Sequence, residues 1–164
     1  MRILGIDPGT ATTGFGVVDA DGQKLMFVGG GVITTPSTQA MPERLLTISH
    51  ELSQIIKEFK PELVSVELLY FATNVTTAIS VGQARGVVLL AAAEAGLEVV
   101  EFTPLQVKQA VTGYGKADKK QVQEMVKTLL KLKEIPRPDD AADALAIAIA
   151  AANSSKQAKP VVAK

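Results

Sequence analysis

Four carboxylate residues occupy positions from which they could act together on a phosphate. Asp7 ends one short apolar segment and Glu67 ends another. In parallel strands, which lie about 4.8 Å apart, such residues would share the edge where ligand sites form. Asp140 and Asp143 are three residues apart at the start of an Ala-rich segment, so on a helix they project from one face. Packing of that face against the strand ends would bring up to four acids together.

A cluster of this kind repels itself unless cations neutralise it. The sequence has no cysteine and one histidine, His50, which falls off the apolar face of its segment and is expected at the surface. Hard oxygen ligands without Cys or His favour Mg²⁺ or Mn²⁺ over zinc. Two such ions can activate a water and stabilise the leaving oxygen of a phosphodiester. The residues therefore favour metal-assisted phosphodiester hydrolysis.

Each acid taken alone also has a structural explanation. Asp7 precedes Pro-Gly and suits a turn, while Asp139 and Asp140 suit a helix cap and a first helical turn. Asp143 is harder to explain this way, because it interrupts a run of Ala, Leu and Ile where a charge needs a partner. Glu67 likewise follows an apolar strand. The set of acids is therefore more informative than any single member.

The charge distribution points to a local phosphate-binding surface. The chain has 164 residues and no net charge, but residues 105–138 hold eight basic and three acidic side chains. A basic segment beside an acidic body can bind nucleic acid locally. A solvated helical face with excess lysine would have the same composition, and charge alone leaves both interpretations open.

Composition limits the class of protein. The length suits one compact domain. Without cysteine there is no disulfide framework, thiolate nucleophile or Cys-based zinc site. The longest uninterrupted apolar run, 144–152, is nine residues, well short of the roughly 18 that span a bilayer. The start, MRILGIDPG, lacks the apolar core of a signal peptide. We expect a cytoplasmic protein with no membrane partner.

The predicted order of elements is βββαβα, followed by a further strand and three helices. Asp21-Gly22 signals a hairpin, and apolar residues at steps of three and four predict the first helix. This order indicates a three-layer α/β domain on a five-stranded mixed sheet over residues 1–152, with a disordered tail at 153–164. We predict strands at 2–7, 13–20, 23–34, 62–67 and 97–102, and helices at 41–59, 74–95, 104–111, 118–132 and 138–152.

Over residues 2–152 the chain resembles the RuvC family of Holliday junction resolvases, which have a ribonuclease-H-like fold. Several blocks match in order: ILGIDPGTATTGFGVV, VSVELLYFATN with SVGQARGVVLLAA, FTPLQVKQAVTGYGKADKKQVQEMV and DDAADALAIAIAAA. The resemblance implies a homodimeric, metal-dependent endonuclease that resolves four-way DNA junctions by paired symmetric nicks. It also implies cooperation with a branch-migration helicase complex.

The resemblance assigns roles to particular residues. It implies that Asp7, Glu67, Asp140 and Asp143 are catalytic and hold two Mg²⁺ ions, with Mn²⁺ as a substitute. It places Lys108 and Lys119 near the scissile strand, with Lys120 as a possible stand-in for Lys119. Tyr70 stands where the family usually carries a Phe that stacks on an unpaired base, although Tyr70 and Phe71 could exchange roles. The full predicted DNA-binding set is Tyr70, Arg85, Lys108, Lys116, Lys119 and Lys120.

The GQARG block offers a possible dimer face. Gly82, Ala84 and Gly86 allow close helix approach, and packing within one subunit would explain them equally well.

Three alternatives stay open on sequence alone. The DPGT turn resembles the phosphate loop of actin-like ATPases, of which this chain would be a single-domain relative, although those proteins need two such domains. The second alternative is a ribonuclease-H-like nuclease for RNA–DNA hybrids. The third, a junction-binding protein without catalysis, is disfavoured by the intact acid set.

Overall fold

The computed structural model describes residues 1–68 and 75–154 as ten elements. The predicted order is confirmed, and most boundaries agree within two residues. The strands are β1 (Arg2–Asp7), β2 (Thr12–Asp21), β3 (Lys24–Thr34), β4 (Leu63–Glu67) and β5 (Glu98–Phe102). The helices are α1 (Met41–Phe59), α2 (Val75–Glu94), α3 (Pro104–Thr112), α4 (Lys119–Leu129) and α5 (Asp139–Ser154).

The five strands form one mixed sheet in the order β3-β2-β1-β4-β5. The first three strands are antiparallel neighbours, and the β2–β3 turn passes through Gly22, whose φ of 57° suits glycine. The crossover strands are parallel: β4 pairs with β1, and β5 pairs with β4. The predicted five-stranded mixed sheet is confirmed, and the parallel pairing of β1 with β4 brings their carboxyl ends together.

Helices cover both faces of the sheet, which gives the predicted three layers. On one face α1 and α2 pack against Leu4, Ile6 and Val66. On the other face α3, α4 and α5 pack against Ile3 and Val18. Because side chains alternate along a strand, Asp7 lies on the same face as Ile3, which is the face that α5 covers.

Helix α5 lies unusually close to the sheet because small residues line both surfaces. A Cβ atom placed on Gly5 would overlap the carbonyl oxygen of Ala144. The buried Ser65 hydroxyl on β4 donates a hydrogen bond of 3.0 Å to the carbonyl oxygen of Ile147. Backbone contact and this hydrogen bond therefore fix the height of α5 above β1 and β4.

Capping boxes define where α3 and α4 begin. The Thr103 hydroxyl accepts a hydrogen bond from the backbone N–H of Gln106, and the Gln106 side-chain oxygen accepts one from the backbone N–H of Thr103. Asp118 and Gln121 form the same reciprocal pair at the start of α4. Such pairs satisfy backbone donors that a helix start leaves open, and they fix Lys119 as the first residue of α4.

Two predicted helix ends differ from the structure. Helix α4 was expected to reach residue 132, but it ends at Leu129 because Lys131 adopts a left-handed φ of 53°. Helix α5 continues through Asn153 and Ser154, beyond the predicted limit at 152, and the Asn153 side chain donates to the carbonyl of Ala110. Residues 155–164, the rest of the predicted tail, lie outside the described residues.

Helix α2 is more apolar than a surface helix normally is. By length and composition alone it could cross a bilayer, and only 22% of its most apolar stretch is buried inside the subunit. Its buried side, which includes Ala84 and Val88, packs in the α1–α2 layer. Its other side exposes apolar residues, among them Val75, Ile79 and Leu90.

We predict that Gly5→Ala destabilises the protein by about 1–3 kcal/mol, as overpacked cores do. The new methyl group would meet helix backbone, which cannot move aside as a flexible side chain can. Urea unfolding measures the loss. Gly30→Ala is the control, because the nearest atom to a Cβ there lies at 3.3 Å; equal destabilisation by both substitutions would contradict the close packing of α5 on β1.

Candidate active site

The register of β1 and β4 brings two acids to one edge of the sheet. Ile6 pairs with Val66 in the parallel ladder, so Asp7 and Glu67 are the next residues on neighbouring strands. Both side chains lie on the face covered by α3, α4 and α5. The predicted convergence of these two carboxylates is present in the structure.

Helix α5 brings the third acid into the same place. Asp7, Glu67 and Asp143 line one cleft of about 250 Å³, together with Lys108 and Lys119. The rest of the wall is largely apolar: Pro104, Val107, Val122 and Ala146. The cleft therefore combines charged groups with apolar surroundings.

Asp140 lies beside the cleft rather than among its lining residues. A Cβ on Gly14 would overlap the Asp140 carbonyl oxygen, so the start of α5 sits directly on β2. The charge of Asp140 still acts on Asp7 and on Asp143. All four predicted acids are thus electrostatically connected, three of them through a shared cleft.

Burial is the main cause of an unusual titration at Asp7. Burial first, and then the negative charges of Glu67, Asp143 and Asp140, together raise the pKa of Asp7 from 3.8 to about 7. Lys119 acts in the opposite direction. A carboxyl group that is hard to ionise beside other acids calls for additional positive charge.

The other two lining acids respond in the same way. Burial, followed by the charge of Asp143, raises the pKa of Glu67, while Lys108 opposes the rise. Burial also raises the pKa of Asp143, although a hydrogen bond from Lys119 opposes it. Burial disfavours the charged form of Lys119, but its hydrogen bond to Asp143 and the nearby acids outweigh this effect and raise its pKa. The lysines are therefore the counter-charges within the site.

The donor set fits a hard divalent cation, but the ligands are not yet gathered around one point. Among residues 1–68 and 75–154, no three acids already have the spacing of metal ligands. Instead the Lys119 ammonium lies 3.2 Å from an Asp143 carboxylate oxygen. A cation that binds Asp143 through this oxygen would require the Lys119 side chain to move aside.

The predicted DNA-binding lysines occupy different parts of this surface. Lys108 and Lys119 enter the acid cleft. Lys120 lines a neighbouring groove of about 460 Å³ with Tyr114. Lys116 is exposed in the turn between α3 and α4. Of the two candidates for the lysine near the acids, the structure places Lys119, and not Lys120, against Asp143.

Arg85 lies in the other helical layer. It forms an ion pair with Glu101 of β5, whose side chain alternates with Val100 and Phe102 and so faces α2. Arg85 is therefore separated by the sheet from the face that carries Asp7. Its DNA contact stays a prediction. Tyr70 and Phe71 lie outside the described residues, and their predicted stacking role likewise stays a prediction.

The sequence predicts that Asp139 is a helix cap or a first-turn acid. In the structure its carboxylate is 2.8 Å from an Arg137 nitrogen and 3.7 Å from the Lys119 ammonium. The i, i+4 spacing of Asp139 and Asp143 was visible in the sequence, but the position of Lys119 between them depends on how α4 packs against α5.

Comparisons with known proteins identify the family of this chain. The family model described as "Crossover junction endodeoxyribonuclease RuvC" matches residues 3–151. A protein of that name from Rubrobacter xylanophilus is 62% identical over 154 residues, covering 94% of this chain and 86% of the relative.

Solved structures show the same relationship. The Thermus thermophilus RuvC structure has a TM-score of 0.89 and 42% identity, covering 95% of this chain and 96% of that one. The T. thermophilus RuvC in complex with Holliday junction substrate gives a TM-score of 0.88 and 39% identity at the same coverage. These likenesses confirm the predicted ribonuclease-H-like fold. The chain therefore belongs to the RuvC family of crossover junction endodeoxyribonucleases and is a nuclease.

Proposed function

We propose that this nuclease resolves four-way DNA junctions by paired symmetric nicks, with residues 1–152 acting as one catalytic domain. The observation that carries the proposal is the shared cleft of Asp7, Glu67 and Asp143 with Lys108 and Lys119. Acids that need positive charge, beside lysines that can contact phosphate, form a site for a phosphodiester. The similarity to a RuvC solved with Holliday junction substrate supports a branched DNA over an RNA–DNA hybrid or a nucleotide.

Metal dependence is typical of this family, and we propose Mg²⁺ as the ion, two per site, with Mn²⁺ able to replace it. Asp7, Glu67, Asp140 and Asp143 would hold the ions, because carboxylate oxygens are the ligands that Mg²⁺ prefers. When bound, the metal supplies an activated water and stabilises the leaving oxygen.

The remaining residues bind and orient the DNA. Lys108 and Lys119 contact phosphates beside the scissile bond, and Lys116 and Lys120 extend the basic surface outward. The apolar walls of the cleft reduce water around these charges, which strengthens each electrostatic contact. Tyr70 provides a stacking surface for an unpaired base.

We further propose that two copies associate through the exposed face of α2. Val75, Ile79 and Leu90 are 75%, 59% and 57% exposed, and their spacing places them on one side of the helix. Among the described residues, no atom lies within 4 Å of a Cβ placed on Gly86, which is on the same side. Paired nicks on opposite strands require two active sites, which a homodimer supplies.

The junction must be moved to a position where cleavage can occur, and we propose that a branch-migration helicase complex does this. Since the substrate is a recombination intermediate of cellular DNA, the protein would work in the cytoplasm with that DNA.

Asp7→Asn should reduce Mg²⁺-dependent nicking of a synthetic junction by more than the roughly 10–100-fold that loss of an outer-shell metal partner costs. It removes a metal ligand but no phosphate contact, so junction affinity should be retained. The assay compares a four-way junction with matched duplex, fork and RNA–DNA hybrid, with and without metal. Asp21→Asn, at the exposed β2–β3 turn, is the control. The proposal would be contradicted if Asp7→Asn cut the junction at the wild-type rate, or if the wild-type protein cut the duplex as fast as the junction.

The stability of the metal-free protein should fall as pH rises from about 4 to 7. Asp7 holds its proton up to about pH 7 when folded but titrates near 3.8 when unfolded. The folded state therefore binds more protons across this range, and stability is lost as pH increases through it.

Added Mg²⁺ should therefore raise the melting temperature more at pH 8 than at pH 6, where it must displace protons. Thermal unfolding in EDTA and in Mg²⁺ measures both effects. Asp7→Asn should flatten the pH dependence. An equal Mg²⁺ shift at both pH values would count against a metal site at Asp7.

Leu90→Glu should convert the dimer to a monomer, because it places a charge in an apolar interface. Sedimentation equilibrium measures the mass, and Leu46→Glu on α1 serves as the control, since Leu46 is also exposed at 61%. A dimer that survives Leu90→Glu and Ile79→Glu together would place the interface elsewhere.

A further inference from the structure

Asp139 stands outside the proposed metal ligands but is joined to them by a chain of ion pairs. One of its oxygens lies 2.8 Å from Arg137 Nη1, and the other lies 3.7 Å from Lys119 Nζ. The same ammonium lies 3.2 Å from an Asp143 oxygen. Lys119 thus sits between two carboxylates, of which only Asp143 belongs to the proposed metal set.

The two carboxylates lie one helical turn apart on α5. Residues four apart project from the same face of a helix, so Asp139 and Asp143 form adjacent positions for one cation. Side-chain exposure is 43% for Asp139 and 31% for Asp143. Movement of the ammonium from Asp143 toward Asp139 is therefore a short step outward along the cleft.

The backbone of Lys119 is fixed while its side chain is free to make that step. Lys119 is the first residue of α4 and lies within the Asp118–Gln121 capping box. Its side chain is 56% exposed. Rotation of the side chain can therefore exchange its carboxylate partner without any change in α4.

Arg137 holds Asp139 in the orientation that receives the ammonium. The guanidinium donates to Oδ1 of Asp139, whereas Lys119 faces Oδ2. Because each cation has its own oxygen, Arg137 can orient the carboxylate without competing with Lys119.

We propose that Asp139 is a positioning residue that takes over the Lys119 ammonium when a divalent cation replaces it at Oδ2 of Asp143. This inference rests on the proposed function. The exchange keeps the Lys119 ammonium at the cleft, where it can contact the substrate phosphate, so that it neither competes with the metal nor moves into solvent. Without Asp139, Asp143 is the only carboxylate among the described residues that lies within 4 Å of the ammonium, and it belongs to the proposed metal ligands.

Calorimetric titration of the DNA-free protein with Mg²⁺ tests the exchange. The variants are Asp139→Asn, Lys119→Met and the double substitution, with Asp139→Ser as a second form, since Asn and Ser both suit the start of a helix. Glu124→Gln, on an exposed position of α4, controls for the loss of one negative charge. Thermal unfolding in EDTA checks that each variant is folded.

In the wild-type background, Asp139→Asn should raise the dissociation constant for Mg²⁺. In the Lys119→Met background the same substitution should raise it by a factor that is smaller by about threefold or more, because residues in contact are energetically coupled. An equal weakening in both backgrounds would show that Asp139 acts only through its charge, and would overturn the exchange. So would unchanged binding in Asp139→Asn and Asp139→Ser. The proposed function fails separately: wild-type protein that binds no Mg²⁺, or binds it equally after Asp7→Asn, has no metal site at these acids and no exchange.

Discussion

Mutual repulsion among buried carboxylates is the constraint on which this structure depends. Asp7, Glu67 and Asp143 share one small cleft with apolar walls, and burial makes each of them harder to ionise. Such an arrangement lowers the stability of the folded protein unless positive charge enters it. Two lysines supply part of that charge. The acids still require further positive charge, and this makes the cleft suitable for hard cations and for a phosphate group that binds with them.

The scaffold holds the acids together despite this repulsion. Parallel pairing of β1 and β4 fixes two of them through the backbone ladder. Glycines in β1 and β2 let α5 approach until backbone meets backbone, and the Ser65 hydrogen bond adds a polar attachment. Because rigid elements carry the acids, the cost of bringing like charges together is met by the packing of the whole domain.

Much of this arrangement could be predicted because it depends on local patterns. Strand-terminal acids such as Asp7 and Glu67 and the helical spacing of Asp140 and Asp143 are visible in the sequence, and the element order determines which ends meet. The end of α4 at Leu129 could not be predicted, because the residue that adopts the left-handed conformation is Lys131 and not the glycine that usually marks a helix end. The pairings of Lys119 with Asp139 and of Arg85 with Glu101 were also missed, since each joins elements whose relative placement no local pattern encodes.

The alanine content of α5 has a consequence for how the nuclease can adapt. Eight of its buried residues are alanines: Ala141, Ala142, Ala144, Ala146, Ala148, Ala150, Ala151 and Ala152. Alanine has no rotamers to lose or to exchange, so this seam cannot be tuned by small rearrangements of side chains as a leucine-rich core can. Homologues suited to hotter or colder surroundings would have to change rigidity elsewhere, on the outer helices or in loops, while the spacing between this helix and the sheet stays constant.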